Sequence, residues 1–334
     1  MPSHIVSLSF RSRGFALFVF LSVLCCLSSA VCFAYPTHPI QVIVPFAGGS
    51  ASDVVTRVVL ERMGDAMGRR FIVDNRPGAG GNTGTAAAAR AEPDGYTLVM
   101  STSGPLAANQ TLYRDLGYDP EKDFAPIGLF AMIPNIIVVS SKLPITSLEE
   151  FIAYAKAHPG ELRYGSVGIG SSQHLAGAYF EQVTGTAMTH VPYRNIAQYV
   201  TDLIAGTVPA GFQFLPNVAG PLATGDARAL AVTSTSRMQA LPQVPTVVEA
   251  GLKGYESSGW LALLAPAGTP APVIDTLHQQ LAAAMADPAV RARLVELGAE
   301  AVISTPEELA KFIRSETAKW HDIIVKAGVS IGQL

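Results

Sequence analysis

Short apolar runs and helix-period segments alternate along most of this 334-residue chain. Ile40-Gln41-Val42-Ile43-Val44 is a nearly continuous apolar run of strand length. Beyond it, Val54, Val55, Val58, Val59 and Met63 recur at the spacing that lines one face of a helix, with Asp53 or Ser52 as its N-cap. Further strands are predicted at 70–75, 96–100, 136–139, 163–166, 188–191, 208–214, 229–233 and 261–265. An Ala-rich helix is predicted over 83–91. Another spans 146–157, with Thr146 and Glu149 as its capping box. Ser171 or Ser172 caps a third helix that carries Leu175, Tyr179, Phe180 and Val183. The C-terminal third is helical. Its last helix starts at Thr305-Pro306 with Glu308, lines Leu309, Phe312, Ile313, Trp320, Ile323 and Ile324 on one face, and stops at Gly328.

This order of elements predicts an α/β fold with mostly parallel sheets. Ligands of such sheets sit beyond the strand C-termini. The loops placed there are 45–53, 101–109, 166–174, 192–195 and 213–217, rich in Gly, Ser, Thr and Asn, and only 192–195 carries a basic residue.

The first 34 residues differ from the rest. Arg11 and Arg13 precede an apolar stretch, Phe15 to Val31, that closes on Val31-Cys32-Phe33-Ala34. This is the pattern of a secretory signal cleaved after about Ala34, and the run is at the lower limit for a retained bilayer span. Cys25, Cys26 and Cys32 lack the small-residue lead-in of a lipidation site. All three cysteines of the chain fall here, so the exported portion has neither disulfide nor thiol chemistry. Its roughly 300 residues suffice for two domains held by their cores alone. Removing Arg11 and Arg13 from the 23 basic residues leaves 21 against 26 acidic ones, a net charge of −5. That balance argues against nucleic acid or an anionic membrane as partner.

The stretch Pro45-Phe46-Ala47-Gly48-Gly49-Ser50-Ala51-Ser52-Asp53 carries the most chemistry. Its glycine pair lets the backbone approach a ligand, and the helix that follows begins with N–H groups lacking helical partners. Together these form an anion cradle that needs no lysine or arginine. Enzyme motifs fail in turn. Gly78-Ala79-Gly80-Gly81-Asn82-Thr83-Gly84 resembles a dinucleotide fingerprint but follows the second strand and lacks the strand-end acid about 20 residues on. There is no phosphate-binding loop with lysine, no Gly-x-Ser-x-Gly elbow and no His-Glu-x-x-His. The histidines beyond the signal segment, His38, His158, His174, His190, His278 and His321, show no metal-ligand spacing, so neither metal nor cofactor is expected. His174 alone adjoins a ligand loop, and a hydrolase would pair it with Ser171 or Ser172. No third member of a triad is evident.

Ordered landmarks across the exported chain resemble the Bug-type receptors of tripartite tricarboxylate transporters. They are Pro45-Phe46-Ala47-Gly48-Gly49 with Asp53, Val73-Asp74-Asn75-Arg76-Pro77-Gly78-Ala79-Gly80-Gly81-Asn82, Pro93-Asp94-Gly95-Tyr96, Tyr118-Asp119-Pro120, Ser171-Ser172-Gln173-His174, His190-Val191-Pro192-Tyr193, Pro242-Gln243-Val244-Pro245-Thr246 and Ala265-Pro266-Ala267-Gly268-Thr269-Pro270. The resemblance implies a type II periplasmic binding protein, with two α/β domains, a hinge and an interdomain ligand cleft. Domain 1 would be discontinuous, 35–140 plus 257–334, and domain 2 would span 141–256, with crossings near Val139–Lys142 and Tyr255–Trp260. It implies a receptor for a small organic carboxylate, delivering it to a membrane transporter or to a sensor kinase; no exposed apolar stripe is evident in the sequence, so a monomer is expected. The ligand-binding residues it implies are Phe46, Ala47, Gly48, Gly49, Ser52 and Asp53 from one domain, facing Ser166, Gly168, Ser171, Ser172 and His174 from the other. Ser101 and Ser103 would add hydroxyls, and Tyr193 and Gln213 would line the cleft. Two positions depart from the family. Phe212-Gln213-Phe214-Leu215-Pro216 has Gln213 where an acid is frequent, and Leu106 stands where a histidine is frequent. Both point to a less polar site and a ligand without an amine.

Overall fold

The computed structural model describes residues 1–3 and 35–328, so the predicted export signal lies outside the described residues. Strands are β1 (Ile40–Val44), β2 (Phe71–Asn75), β3 (Thr97–Thr102), β4 (Phe124–Pro134), β5 (Ile136–Ser140), β6 (Arg163–Ser166), β7 (Thr189–Pro192), β8 (Ala210–Gln213), β9 (Ala227–Val232), β10 (Ser258–Pro266) and β11 (Glu300–Ala301). The helices are α1 (Ala51–Met67), α2 (Asn82–Ala89), α3 (Asn109–Leu112), α4 (Leu148–Ala157), α5 (Ser172–Thr184), α6 (Ile196–Ala205), α7 (Leu215–Thr224), α8 (Ala271–Ala286), α9 (Pro288–Glu296) and α10 (Pro306–Ala327), with a π turn over Gly104–Ala108 before α3. No helix among the described residues is long and apolar enough to cross a membrane.

Two sheets organise residues 38–328. The first has the order β11-β4-β10-β3-β1-β2 and the second β7-β6-β8-β5-β9. Neither is mostly parallel. β1 pairs parallel with β2 and β3, but β10 runs antiparallel to β3 and β4. In the second sheet β6 pairs parallel with β7 and β8, whereas β5 runs antiparallel to β8 and β9. β10 and β5, the strands on which the chain arrives from the other sheet, run antiparallel to both neighbours, because no helical crossover brings them in parallel; the short β11 also pairs antiparallel with β4.

The first passage lies at Asn135, the single residue between β4 and β5. This is earlier than 139–142, because Ile136–Ser140 hydrogen-bonds within the second sheet. The return enters β10 at Ser258. Here three buried polar residues bind one another. The Asn135 N–H donates to Thr233 Oγ1 at 2.9 Å, the Thr233 N–H to the Asn135 carbonyl at 2.9 Å, and Asn135 Nδ2 to the Ser257 carbonyl at 3.3 Å. Both passages are thereby tied at one point.

Each sheet has its own core. Trp260, Leu264, Leu309, Ile313 and Trp320 pack on the first, and Phe151, Phe180, Phe212, Tyr164 and Tyr255 on the second. The two tryptophans share one buried carboxylate: Trp260 Nε1 and Trp320 Nε1 donate to Glu316 Oε2 at 3.1 and 3.0 Å. Local signals set the helix ends. α10 has the full Thr305/Glu308 capping box, Pro306 in its first turn and Gly328 in the left-handed conformation behind it. The cap of α4 is one residue later than Thr146: Ser147 accepts from the Glu150 N–H, and the Glu150 carboxylate reaches back to Thr146. Likewise Ser50, not Ser52 or Asp53, caps α1.

Candidate functional site

A cavity of about 210 Å³ lies between the strand C-termini of the two sheets. From the first sheet it is lined by Pro45, Phe46, Ala47 and Ser50 behind β1, Pro77 to Gly80 behind β2, and Tyr113. From the second come Val167, Gly168 and Ile169 behind β6, then Pro192, Tyr193, Arg194 and Ile196 behind β7. Its walls are mostly apolar, and the lining residues with polar side chains are Ser50, Tyr113, Tyr193 and Arg194.

Around the cavity the two sides meet directly. The Ala51 N–H at the start of α1 donates to Asn217 Oδ1 at 2.9 Å, Ser103 Oγ and Ser172 Oγ are 2.7 Å apart, and the Tyr113 hydroxyl donates to the Ile169 carbonyl at 3.0 Å. Asn217 Nδ2 in turn donates to Gln213 Oε1, and Gln213 Nε2 to the Gly165 carbonyl. Main chain also abuts main chain. A Cβ on Gly80 would sit 1.9 Å from the Ile169 carbonyl oxygen, and one on Gly104 would sit 2.1 Å from that of Gly170. Only glycine fits at either place.

Of the residues expected at the site, Phe46, Ala47, Gly168 and Tyr193 line the cavity. Gly48 and Gly49 are exposed beside it. Ser52 is buried, its carbonyl accepting the Thr56 hydroxyl. Asp53 is buried as an internal brace. Its carboxylate accepts from the Gly49 N–H at 2.9 Å, Asn75 Nδ2 at 2.9 Å and Arg57 Nε at 3.0 Å. Burial pushes this carboxyl up, but the bonds from Arg57, Gly49 and Asn75 outweigh it and hold it below the usual carboxylate range. The cradle at the start of α1 is therefore partly filled by the protein's own groups. Asp53→Ala is expected to lower the unfolding free energy of the unliganded protein by about 2–4 kcal/mol, read by urea titration, because it strips the partners of three donors. A loss confined to ligand affinity would instead make Asp53 a ligand contact.

Ser101 bonds Thr85 Oγ1 at 3.0 Å and Ser103 bonds Ser172, so both hydroxyls serve packing around the cavity rather than its wall. Ser171 caps α5, accepting from the His174 N–H. His174 Nδ1 accepts the Gly170 N–H at 3.1 Å, and Ser166 pairs with His190 Nε2 at 2.6 Å, the His174 and His190 rings lying 4.1 Å apart. Neither Ser171 nor Ser172 is thus hydrogen-bonded to the His174 ring, as a hydrolase would require. Gln213 is fully buried in the relay to Asn217. Leu106 packs in the first core, and Phe214 is buried with its ring where a Cβ on Gly259 would be, so neither side chain offers the ligand surface that the sequence suggested.

Sequence reasoning passed over Ser50, Tyr113, Ile169 and the Gly78–Gly80 turn. The Ser50/Asp53 spacing was itself a cap signal. The glycine turn reads in the sequence as a nucleotide-like motif and a family landmark, and neither places it at the cavity.

A family model described as the tripartite tricarboxylate transporter family receptor matches residues 55–329, and the chain belongs to this family. It is 36% identical to Protein BugT of Bordetella pertussis over 298 residues, which cover 89% of this chain and 91% of that protein. Among solved structures it resembles an R. palustris protein with adipate at a TM-score of 0.86 and 36% identity, over 89% of this chain and all of that one. It also resembles the periplasmic binding protein BugD at 0.84 and 35%, over 88% and 99% of the two chains. The fold is that of the type II periplasmic binding proteins, and the family is one of solute-binding receptors.

Proposed function

We propose that this protein is a periplasmic receptor that encloses a small organic carboxylate between two lobes and delivers it to a tripartite tricarboxylate-type transporter. One lobe comprises 38–134 with 258–328, the other 136–257, hinged at Asn135, Thr233 and Ser257. Residues 1–34 export the chain and are removed. The observation that carries this reading is the cavity between facing strand ends, bounded by hydrogen bonds that run from one side to the other. A ligand touching both sides at once favours the shut form, because each side supplies part of its contacts. Relatives solved with adipate and with malate support a carboxylate as the ligand class.

The test is thermal unfolding of residues 35–334, refolded to remove carried-over ligand, against di- and tricarboxylates, acidic amino acids and aromatic carboxylates. A ligand at about 100 times its dissociation constant should add about 2.7 kcal/mol, a shift of several degrees. A folded protein that responds to none of them would overturn the reading.

A further inference from the structure

We infer that the free edge of β2 is a dimerisation surface, and that its occupant is β2 of a second copy of this chain, running antiparallel and centred on Ile72. β2 ends the first sheet and pairs with β1 alone. The Ile40 N–H donates to the Arg70 carbonyl and the Arg76 N–H to the Val44 carbonyl, so the even-numbered residues of this segment turn their main-chain groups toward β1. Phe71, Val73 and Asn75 turn theirs outward, where no other strand of the sheet lies. The other sheet ends offer less. β11 has two residues. β7 ends on Pro192, which has no N–H, and the Met188 N–H just before it donates to Glu181. Beside β9, both main-chain groups of Val232 bond the 245–247 segment.

An open edge is a template for another strand, and the surrounding charges select which one. Strand alternation puts Arg70, Ile72 and Asp74 on one face. Ile72 is 55% exposed. Arg70 is exposed and its side chain has no hydrogen bond or ion pair among the described residues. Asp74 receives Gln41 and Arg76 through Oδ2, which leaves Oδ1 for a further donor. The order cation, apolar, anion is its own complement when reversed. Two copies related by a two-fold axis pair equivalent strands antiparallel. Centring on Ile72 then sets Ile72 against its equivalent and Arg70 against Asp74 of the second copy, at both ends. Phe71 and Val73 of opposite copies exchange the main-chain hydrogen bonds, using the groups that face outward. A centre at Val73 would instead set Arg70 against Arg76, so charge fixes the register. Such a contact needs no apolar stripe, because the main chain supplies most of its bonds. It joins two six-stranded sheets into one and leaves the second sheet of each copy untouched.

The experiment is sedimentation equilibrium of residues 35–334 as wild type, Arg70→Glu, Asp74→Lys and an equimolar mixture of the two variants. The wild type is expected to dimerise reversibly with a Kd between about 1 μM and 1 mM, as small interfaces do. Either variant alone sets like charges opposite each other at both ends and should weaken dimerisation at least about ten-fold. In the mixture the introduced glutamate faces the introduced lysine at one end, and Arg70 keeps Asp74 at the other. The mixture should therefore regain the wild-type dimer, an outcome that misfolded variants could not produce. A wild type that stays monomeric throughout this range, an affinity unmoved by either variant, or no heterodimer from the mixture overturns the inference. Neither position lines the cavity, so carboxylate binding should be equal in all the proteins and the receptor reading stands or falls separately.

Discussion

Gly104→Ala is expected to keep the protein folded and to weaken ligand binding at least about a hundred-fold. Gly104 has no positive φ, so alanine suits its backbone, and exchanging glycine for alanine in a helical conformation is neutral or stabilising by about 0.4–1 kcal/mol. Its added Cβ meets the Gly170 carbonyl oxygen at 2.1 Å, across the line where the two sides touch. On the two-lobe reading proposed above, that contact arises only when the lobes are together, so the penalty falls on the shut form alone. An apparent dissociation constant rises in inverse proportion to the fraction of molecules able to shut. The variant should therefore melt at or above the wild-type temperature without ligand, bind poorly, and keep an open X-ray scattering profile at saturating ligand. An unchanged affinity would show that the seam is not part of ligand enclosure. Gly80→Ala is a poorer test, because Gly80 has φ +62 and would strain the folded chain in either form.

The second large effect is acid sensitivity. Burial lowers His174 to about 4 and, together with the nearby His174, lowers His190 to about 2. Both imidazoles are held neutral when folded and take up protons near pH 6.5 when unfolded. Their contribution is complete above pH 6.5 and declines as the pH falls, by about 1.4 kcal/mol per pH unit for each ring. Between pH 6.5 and 4.5 the pair removes about 5 kcal/mol. Glu181 acts in the opposite sense. Burial raises its carboxyl to about 7 against the Met188 N–H bond, so its penalty at neutral pH is relieved on acidification, returning about 3 kcal/mol. The wild type should lose about 2 kcal/mol over this interval in urea titrations, and Glu181→Gln about 5. Parallel pH profiles for the two proteins would refute this assignment.

Features encoded locally were legible in the sequence. The Thr305 capping box, the Ser171 cap and the β1 run depend on a few neighbouring residues, and each stands within a residue or so of where the pattern placed it. β4 was missed because Pro126, Gly128 and Pro134 interrupt its apolar pattern, while its pairing with β10 is broken by register shifts. Strand direction depends on which sheet the chain has just left, and no local signal carries that. The loops of the site followed from the strand-end rule, but their individual contacts did not. Ser101 and Ser166 lie at the ends of β3 and β6 and Ser103 just beyond β3, yet their hydroxyls bond Thr85, His190 and Ser172 respectively. Choosing among such partners requires knowing what stands across the cleft.

Part of the seam beside the cavity is main chain against main chain, at Gly80 against Ile169 and at Gly104 against Gly170. The side chains on the wall, such as those of Phe46, Val167 and Arg194, are not what meets there. On the two-lobe reading proposed above, the side chains of Phe46, Val167 and Arg194 can therefore change without touching the close main-chain approaches. On that reading, a duplicated copy of this chain can exchange one ligand for another by changing its wall while inheriting an unaltered mechanical cycle, which would suit the scaffold to diversification.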